Sequence, residues 1–271
     1  MKKILSATLT AFCVFATSVP SSASAKVLKE ITFGVDATYP PYESLSATGQ
    51  FEGFDIDLGR AICAELQVKC KFINQSFEGI IPALQARKFD AILSSMEVTP
   101  ERSQKINFSS EMYDAPNSLV IPKGSDIRPT IESLKGKTVG VEAGTIQENY
   151  AKTYWQPQGV KIVSYQDQNQ VYSDLISGRL DASFQSAIQA EFGFLGTPKG
   201  KNFEFGGDVT YDPKNVLGSY VAIGVRKDEP ELLKKIDWAI GQLHKTGEYN
   251  KIQAKYFKIN IYNAAAAKLA Q

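Results

Sequence analysis

The chain has 271 residues, 43% of them hydrophobic and 22% charged, with 30 basic against 29 acidic side chains. That balance leaves no basic excess to neutralise phosphates, which argues against a nucleic-acid partner. After the first residues no stretch reaches about 18 consecutive apolar positions, so no later membrane-spanning helix is expected.

At the start of the chain, Lys2 and Lys3 precede an apolar run from Ile4 to about Val19, and Ala23-Ser24-Ala25 is a small-x-small cleavage site. Residues 1–25 therefore read as a signal peptide, with a mature chain starting at Lys26 and exported to the periplasm. Cys13 lacks the small-residue context of a lipoprotein box, which argues against a lipid anchor. Cleavage leaves 246 residues, and loss of Lys2 and Lys3 gives 28 basic against 29 acidic groups, a net charge of −1. Two cysteines survive, Cys63 and Cys70. In an oxidising compartment the pair reads as a disulfide closing a small loop, with a metal site or free buried thiols as the other readings.

Asp55 to Leu66 has apolar residues at helical spacing, Val68 to Ile73 reads as a strand, and Gly79 to Arg87 as a second helix with Pro82 in its first turn. The stretch Asp90 to Arg102 follows: a short buried strand, Ala91 to Leu93, opening onto Ser94, Ser95, Glu97 and Arg102. Open α/β sheets place ligands at the carboxyl ends of their strands. Acceptors for an ammonium beside a guanidinium fork for a carboxylate meet a zwitterion's requirement. A helix-capping turn with a surface salt bridge is the alternative.

Much of this order recurs. Ile31 to Thr38 resembles Lys137 to Thr145, each a strand ending in Gly-Val, then an acid and a turn. Leu84 to Ala91 resembles Leu175 to Ala182, each a helix end leading through Asp-Ala into a strand. The repeat predicts helices at Gln147 to Trp155 and Val171 to Ser177, with strands at Gly159 to Tyr165 and Ala182 to Phe184. Strand–helix alternation in both halves argues for two α/β lobes with mostly parallel sheets flanked by helices. Asn117 to Pro122 and Gly218 to Val225 are apolar and β-rich, where a two-crossing hinge would lie. The expected division is lobe 1 at 26–115 and 215–263 and lobe 2 at 116–214. Glu229 to Tyr256 is helical with a break at Thr246-Gly247, His244 is expected as an exposed helix-end residue, and 264–271 as a frayed tail.

Six pieces in this order carry a resemblance across the mature chain: Gly53 to Leu58, Ile81 to Leu84, Asp90 to Arg102, Ser133 to Val141, Tyr172 to Leu175 and Lys255 to Phe257. The chain resembles the periplasmic solute-binding proteins (family 3) of polar amino-acid ABC transporters, closest to the histidine and lysine/arginine/ornithine binders. The resemblance implies a Venus-flytrap clamshell whose first lobe is discontinuous. Such a clamshell closes on one amino acid and docks on an inner-membrane permease, as a monomer, without cofactor or catalysis. It also implies a disulfide between Cys63 and Cys70. Arg102 matches the clamp for the ligand α-carboxylate, and Gly144-Thr145-Ile146 a backbone nest for the same group, with Gln147 beside it. Tyr39 and Phe77 match the aromatics that sandwich the ligand side chain. Asp36 and Ser94, with Ser95 next to it, match the positions around the distal cationic end.

Three positions depart from the family pattern. Relatives usually carry a hydroxyl residue where this chain has Glu97, an aspartate where it has Ser186, and often leucine where it has Glu142. The first two read as a compensating swap of the carboxylate opposite the ligand ammonium. Asp36, Glu97 and Glu142 around one cleft predict a ligand with an extra positive charge: arginine, ornithine, lysine or histidine. The alternatives are an enzyme of the cyclohexadienyl dehydratase type on the same clamshell, or a binder of an N-substituted amino acid such as an opine.

Overall fold

A computed structural model describes residues 28–209, 212–218 and 220–262. The expected signal peptide at 1–25 and tail at 264–271 lie outside the described residues. Short apolar runs form the central strands because both sheet faces are covered by helices. Strand β1 (Glu30–Val35) leads into a small antiparallel sheet of β2 (Thr38–Tyr39), β3 (Glu43–Leu45) and β4 (Phe51–Glu52). Helix α1 (Phe54–Glu65), β5 (Lys69–Asn74), α2 (Ile80–Gln85), β6 (Ala91–Ile92), α3 (Pro100–Lys105) and β7 (Asn107–Phe108) follow. The chain then enters a second unit: β8 (Asn117–Pro122), α4 (Ile131–Leu134), β9 (Thr138–Glu142), α5 (Ile146–Tyr150), β10 (Lys161–Tyr165) and α6 (Gln168–Ile176). That unit ends with β11 (Ala182–Ser186), α7 (Ala187–Ala190) and β12 (Phe203–Asp208). Strand β13 (Gly224–Val225) rejoins the first sheet before α8 (Pro230–Thr246) and α9 (Glu248–Tyr256).

The two large sheets run β5-β1-β6-β13-β7 and β10-β9-β11-β8-β12. In each, the first three strands are parallel and the fourth is antiparallel to the third. The repeated sequence pattern therefore corresponds to one strand order used twice, in a two-lobe α/β fold. Phe33, Phe54 and Ile62 pack with Ile236, Ile240 and Tyr249 in the core of the first lobe. Leu119, Val139, Val141, Trp155 and Phe184 form the core of the second. Helix α8 joins the first core because Leu232, Ile236, Ile240 and Leu243 form one buried stripe at helical spacing.

Several expectations need correction. Helix α2 is shorter than Gly79 to Arg87: Phe77–Gly79 forms a separate 3-10 turn ahead of it, and Arg87 turns left-handed at φ 59 just past its end. The helix expected at Gln147 to Trp155 changes to a π turn after Tyr150. Among the described residues of 218–225 the only strand is Gly224–Val225, preceded by bridges from Val221 to Glu97 and Tyr113. His244 is half-buried rather than exposed: its ring lies 4.3 Å from that of Tyr249, and burial lowers its pKa. Among the described residues no helix is long and apolar enough to cross a membrane.

Cys63, in α1, and Cys70, in β5, are joined by a disulfide with Cα atoms 5.7 Å apart, seven positions apart in sequence. So short a loop loses little chain entropy on closure, and its bridge is worth about 2–3 kcal/mol. Cys63→Ala/Cys70→Ala is expected to remain folded, with a urea unfolding free energy lower by about that amount.

Candidate functional site

The carboxyl end of β6 turns sharply because Ser95 sits at φ 46, a left-handed conformation costly for a non-glycine residue. Buried bonds hold it there: its N–H donates to Asp55 Oδ2 at 3.0 Å, and its hydroxyl lies 3.0 Å from the Tyr113 hydroxyl and donates to Glu43 Oε2 at 3.3 Å. Ser94 donates its hydroxyl to Glu43 Oε1 at 3.1 Å and accepts the Asp36 N–H at 2.8 Å. The Asp36 carboxylate accepts from the Thr38 hydroxyl and the Phe77 N–H, both at 2.7 Å. Burial nevertheless raises its pKa.

Beyond the turn, Thr99 caps α3 by accepting the Arg102 N–H at 3.1 Å, which aims the arginine back into the cleft. Nη1 of Arg102 donates to the main-chain oxygen of Glu97 at 2.8 Å and to its Oε2 at 3.2 Å. Both side chains are 8% exposed. Nη2 donates across the cleft to the Gly144 carbonyl at 3.1 Å, and the guanidinium lies 5.3 Å from the Phe77 ring centre. The fork expected to meet a ligand carboxylate thus already holds a protein carboxylate. Burial raises the Glu97 pKa, opposed mainly by the Arg102 charge.

From the second lobe, Glu142 ends β9 at 4% exposure. Burial pushes its pKa well up, and Asp36, Asp167 and Glu97 add like-charge repulsion. Thr145 donates its hydroxyl to the Glu142 carbonyl at 2.7 Å and caps α5 by accepting the Glu148 N–H. Part of the expected backbone nest is already engaged, since the Gly144 N–H donates to Glu148 Oε2 at 2.7 Å. Gln147 donates to Asn117 at 2.6 Å and is a further hydrogen-bonding neighbour of Glu97.

One closed cavity gathers Asp36, Tyr39, Phe77, Ser94 and Ser95 with Glu97, Glu142, Thr145 and Gln147. Its free volume is about 20 Å³, room for about one water. Arg102 and Ile146 line an adjoining open groove, together with Phe77 and Thr145. Ser186 lines neither; its hydroxyl caps α7 by accepting the Gln189 N–H at 3.4 Å. Two residues escaped the sequence reading. Glu43 lines the cavity from the small hairpin at 1% exposure, and Asp167 stands close enough to raise the pKa of Asp36 and Glu142. Only the period of its hairpin could have revealed Glu43, and strands of two or three residues carry no readable period.

The lobes come close at two glycines. A Cβ on Gly144 would lie 2.6 Å from Glu78 Cα, and one on Gly193 2.2 Å from the Pro40 carbonyl oxygen. Gln189 donates to that same oxygen at 3.1 Å.

Residues 31–259 match the bacterial extracellular solute-binding proteins, family 3. The chain belongs to that family. It is 42% identical over 262 residues to the histidine-binding periplasmic protein of Escherichia coli K12, covering 97% of this chain and 99% of the relative. It is 45% identical over 245 residues to the lysine/arginine/ornithine-binding periplasmic protein of the same organism, covering 90% and 94%. A solved structure of a Salmonella typhimurium periplasmic binding protein with high arginine specificity superposes with a TM-score of 0.78 at 33% identity, covering 85% of this chain and all of that one.

Two outcomes follow for this family 3 protein. Asp55 is buried beside Glu43, and burial lifts its pKa to about 7. The folded state then holds a proton that the unfolded chain releases above about pH 4. This contribution to stability is complete below that pH and lost as pH rises through about 7. The denaturant midpoint of ligand-free protein should fall between pH 5 and pH 8, and Asp55→Asn should weaken that fall. Gly144→Ala places a methyl against the Glu78 backbone at a φ of 78. Its small-angle scattering is expected to show a more open molecule than wild type.

Proposed function

We propose that this chain is the periplasmic receptor of an ABC importer, closing as a monomer on a cationic amino acid and delivering it to the inner-membrane permease. Arginine, ornithine, lysine and histidine form the ligand class. One observation carries the reading: among the described residues, the ionisable groups lining the closed cavity, apart from Tyr39, are Asp36, Glu43, Glu97 and Glu142, all acids. A buried excess of carboxylates attracts cations and opposes anions. The names of the relatives that bind histidine and the basic amino acids support the same class.

In this reading Arg102, at the rim, takes the α-carboxylate through its planar fork. Glu97 turns to the α-ammonium, Asp36 and Glu142 take the distal cation from opposite lobes, and Tyr39 and Phe77 face the side chain. Closure follows from charge. Acids carried by both lobes oppose approach, and a cation between them reverses the sign, so the ligand favours the closed state. Dehydratase chemistry on this scaffold needs an anionic substrate, which the same carboxylates oppose.

A thermal-shift screen on stripped protein tests the class. A ligand at 100 times its dissociation constant adds about 2.7 kcal/mol, or roughly 5–11 °C for a chain of this size. Arginine, ornithine, lysine or histidine should produce such a shift and glutamate none; a response confined to acidic or aliphatic amino acids refutes the proposal. Arg102→Ala leaves Glu97 buried without its partner and removes the carboxylate fork, so affinity should fall on the order of 100-fold.

A further inference from the structure

The Arg102–Glu97 pair bears on which cations the cleft admits. Nη1 of Arg102 donates twice to Glu97, once to its main chain and once to its carboxylate, and Nη2 is engaged by Gly144. The pair is buried on both sides. Breaking a buried ion pair is costly, because each charge must find a new partner at once. An α-carboxylate reaching Arg102 has to displace Glu97, which must then re-pair with the ligand ammonium. A cation without a carboxylate leaves the pair intact.

The remaining charges point the same way. Glu97 is balanced by Arg102, while Glu43 is held by the Ser94 and Ser95 hydroxyls beside Asp55. That leaves Asp36 and Glu142, on opposite lobes, without a basic partner among the described residues. Glu142 is 4% exposed, and among the described residues nothing donates a hydrogen bond to its carboxylate. A basic amino acid brings two cationic ends and a carboxylate; its decarboxylated counterpart brings only the two cations.

We infer that the cleft accepts guanidino-amines and diamines, cations that lack an α-carboxylate, with Glu97 supplying to Arg102 the carboxylate such ligands do not carry. The inference rests on the receptor reading above and extends its ligand class. Calorimetric titration of stripped mature protein with agmatine, cadaverine, arginine and lysine separates the two. Agmatine is expected to bind within about tenfold of arginine. In Glu97→Gln the buried arginine loses its internal partner, so agmatine should weaken relative to arginine by at least tenfold. Binding of arginine or lysine with agmatine and cadaverine more than 100-fold weaker overturns this inference and leaves the receptor reading standing, and so does an agmatine-to-arginine ratio unchanged in Glu97→Gln. No response to any of the four overturns this inference, and the receptor reading falls with it only if ornithine and histidine also give none.

Discussion

A buried guanidinium that already holds a carboxylate governs this cleft. Arg102 is brought in by the Thr99 cap of α3, lies against the Phe77 ring, and binds Glu97 from its own lobe and Gly144 from the other. Each contact offsets part of the cost of removing the charge from water, and none does so alone. The same side chain therefore neutralises Glu97 and ties the lobes together. Any group that enters must keep Arg102 paired or replace what it loses.

The rest of the ionisable lining has no such compensation. Strands β1 and β9 hold the same place in the two sheets, each at the centre of a parallel trio, and the acids that follow or end them, Asp36 and Glu142, meet at the cavity. One lobe plan used twice thus delivers like charges to both walls. Burial raises both pKa values, with like-charge repulsion from Asp167 on Asp36 and from Asp36, Asp167 and Glu97 on Glu142, so on the proposed reading closure without a cation is resisted by the residues that would grip one. On that proposed reading a ligand cation changes the sign for the closed state far more than for the open one, as a conformational switch requires.

What was legible in the sequence follows from how local the signal was. The stretch Asp90 to Arg102 announced itself because a strand too short to be anything but buried ends directly in polar chemistry. The repeat was legible because the Gly-Val and Asp-Ala landmarks frame equivalent strands. Glu43 was not, since its burial comes from β2, β3 and β4, each too short to show a period. Ser186 caps α7, since a serine at a strand-to-helix junction has the new helix N–H groups within reach, a role no residue pattern announces. His244 was read as exposed because helix ends usually are; Tyr249 and Tyr262, contributed by later residues, cover it.

The two halves of the cleft also differ in how far they are built in advance. On the first lobe Asp36, Ser94, Ser95, Glu43, Asp55 and Tyr113 form a continuous buried network in which each hydroxyl is committed to a protein acceptor. Such networks rigidify when satisfied, and here one fixes even a strained serine. Facing them, Glu142 presents a carboxylate held only by its backbone, with Thr145 bonding its carbonyl and nothing described bonding its side chain. A preformed wall opposite an unsatisfied one sets an order of events. On the receptor reading proposed above, the cation is first positioned by the fixed acids of lobe 1, and Glu142 then gains more from meeting it than from solvent, drawing the second lobe in.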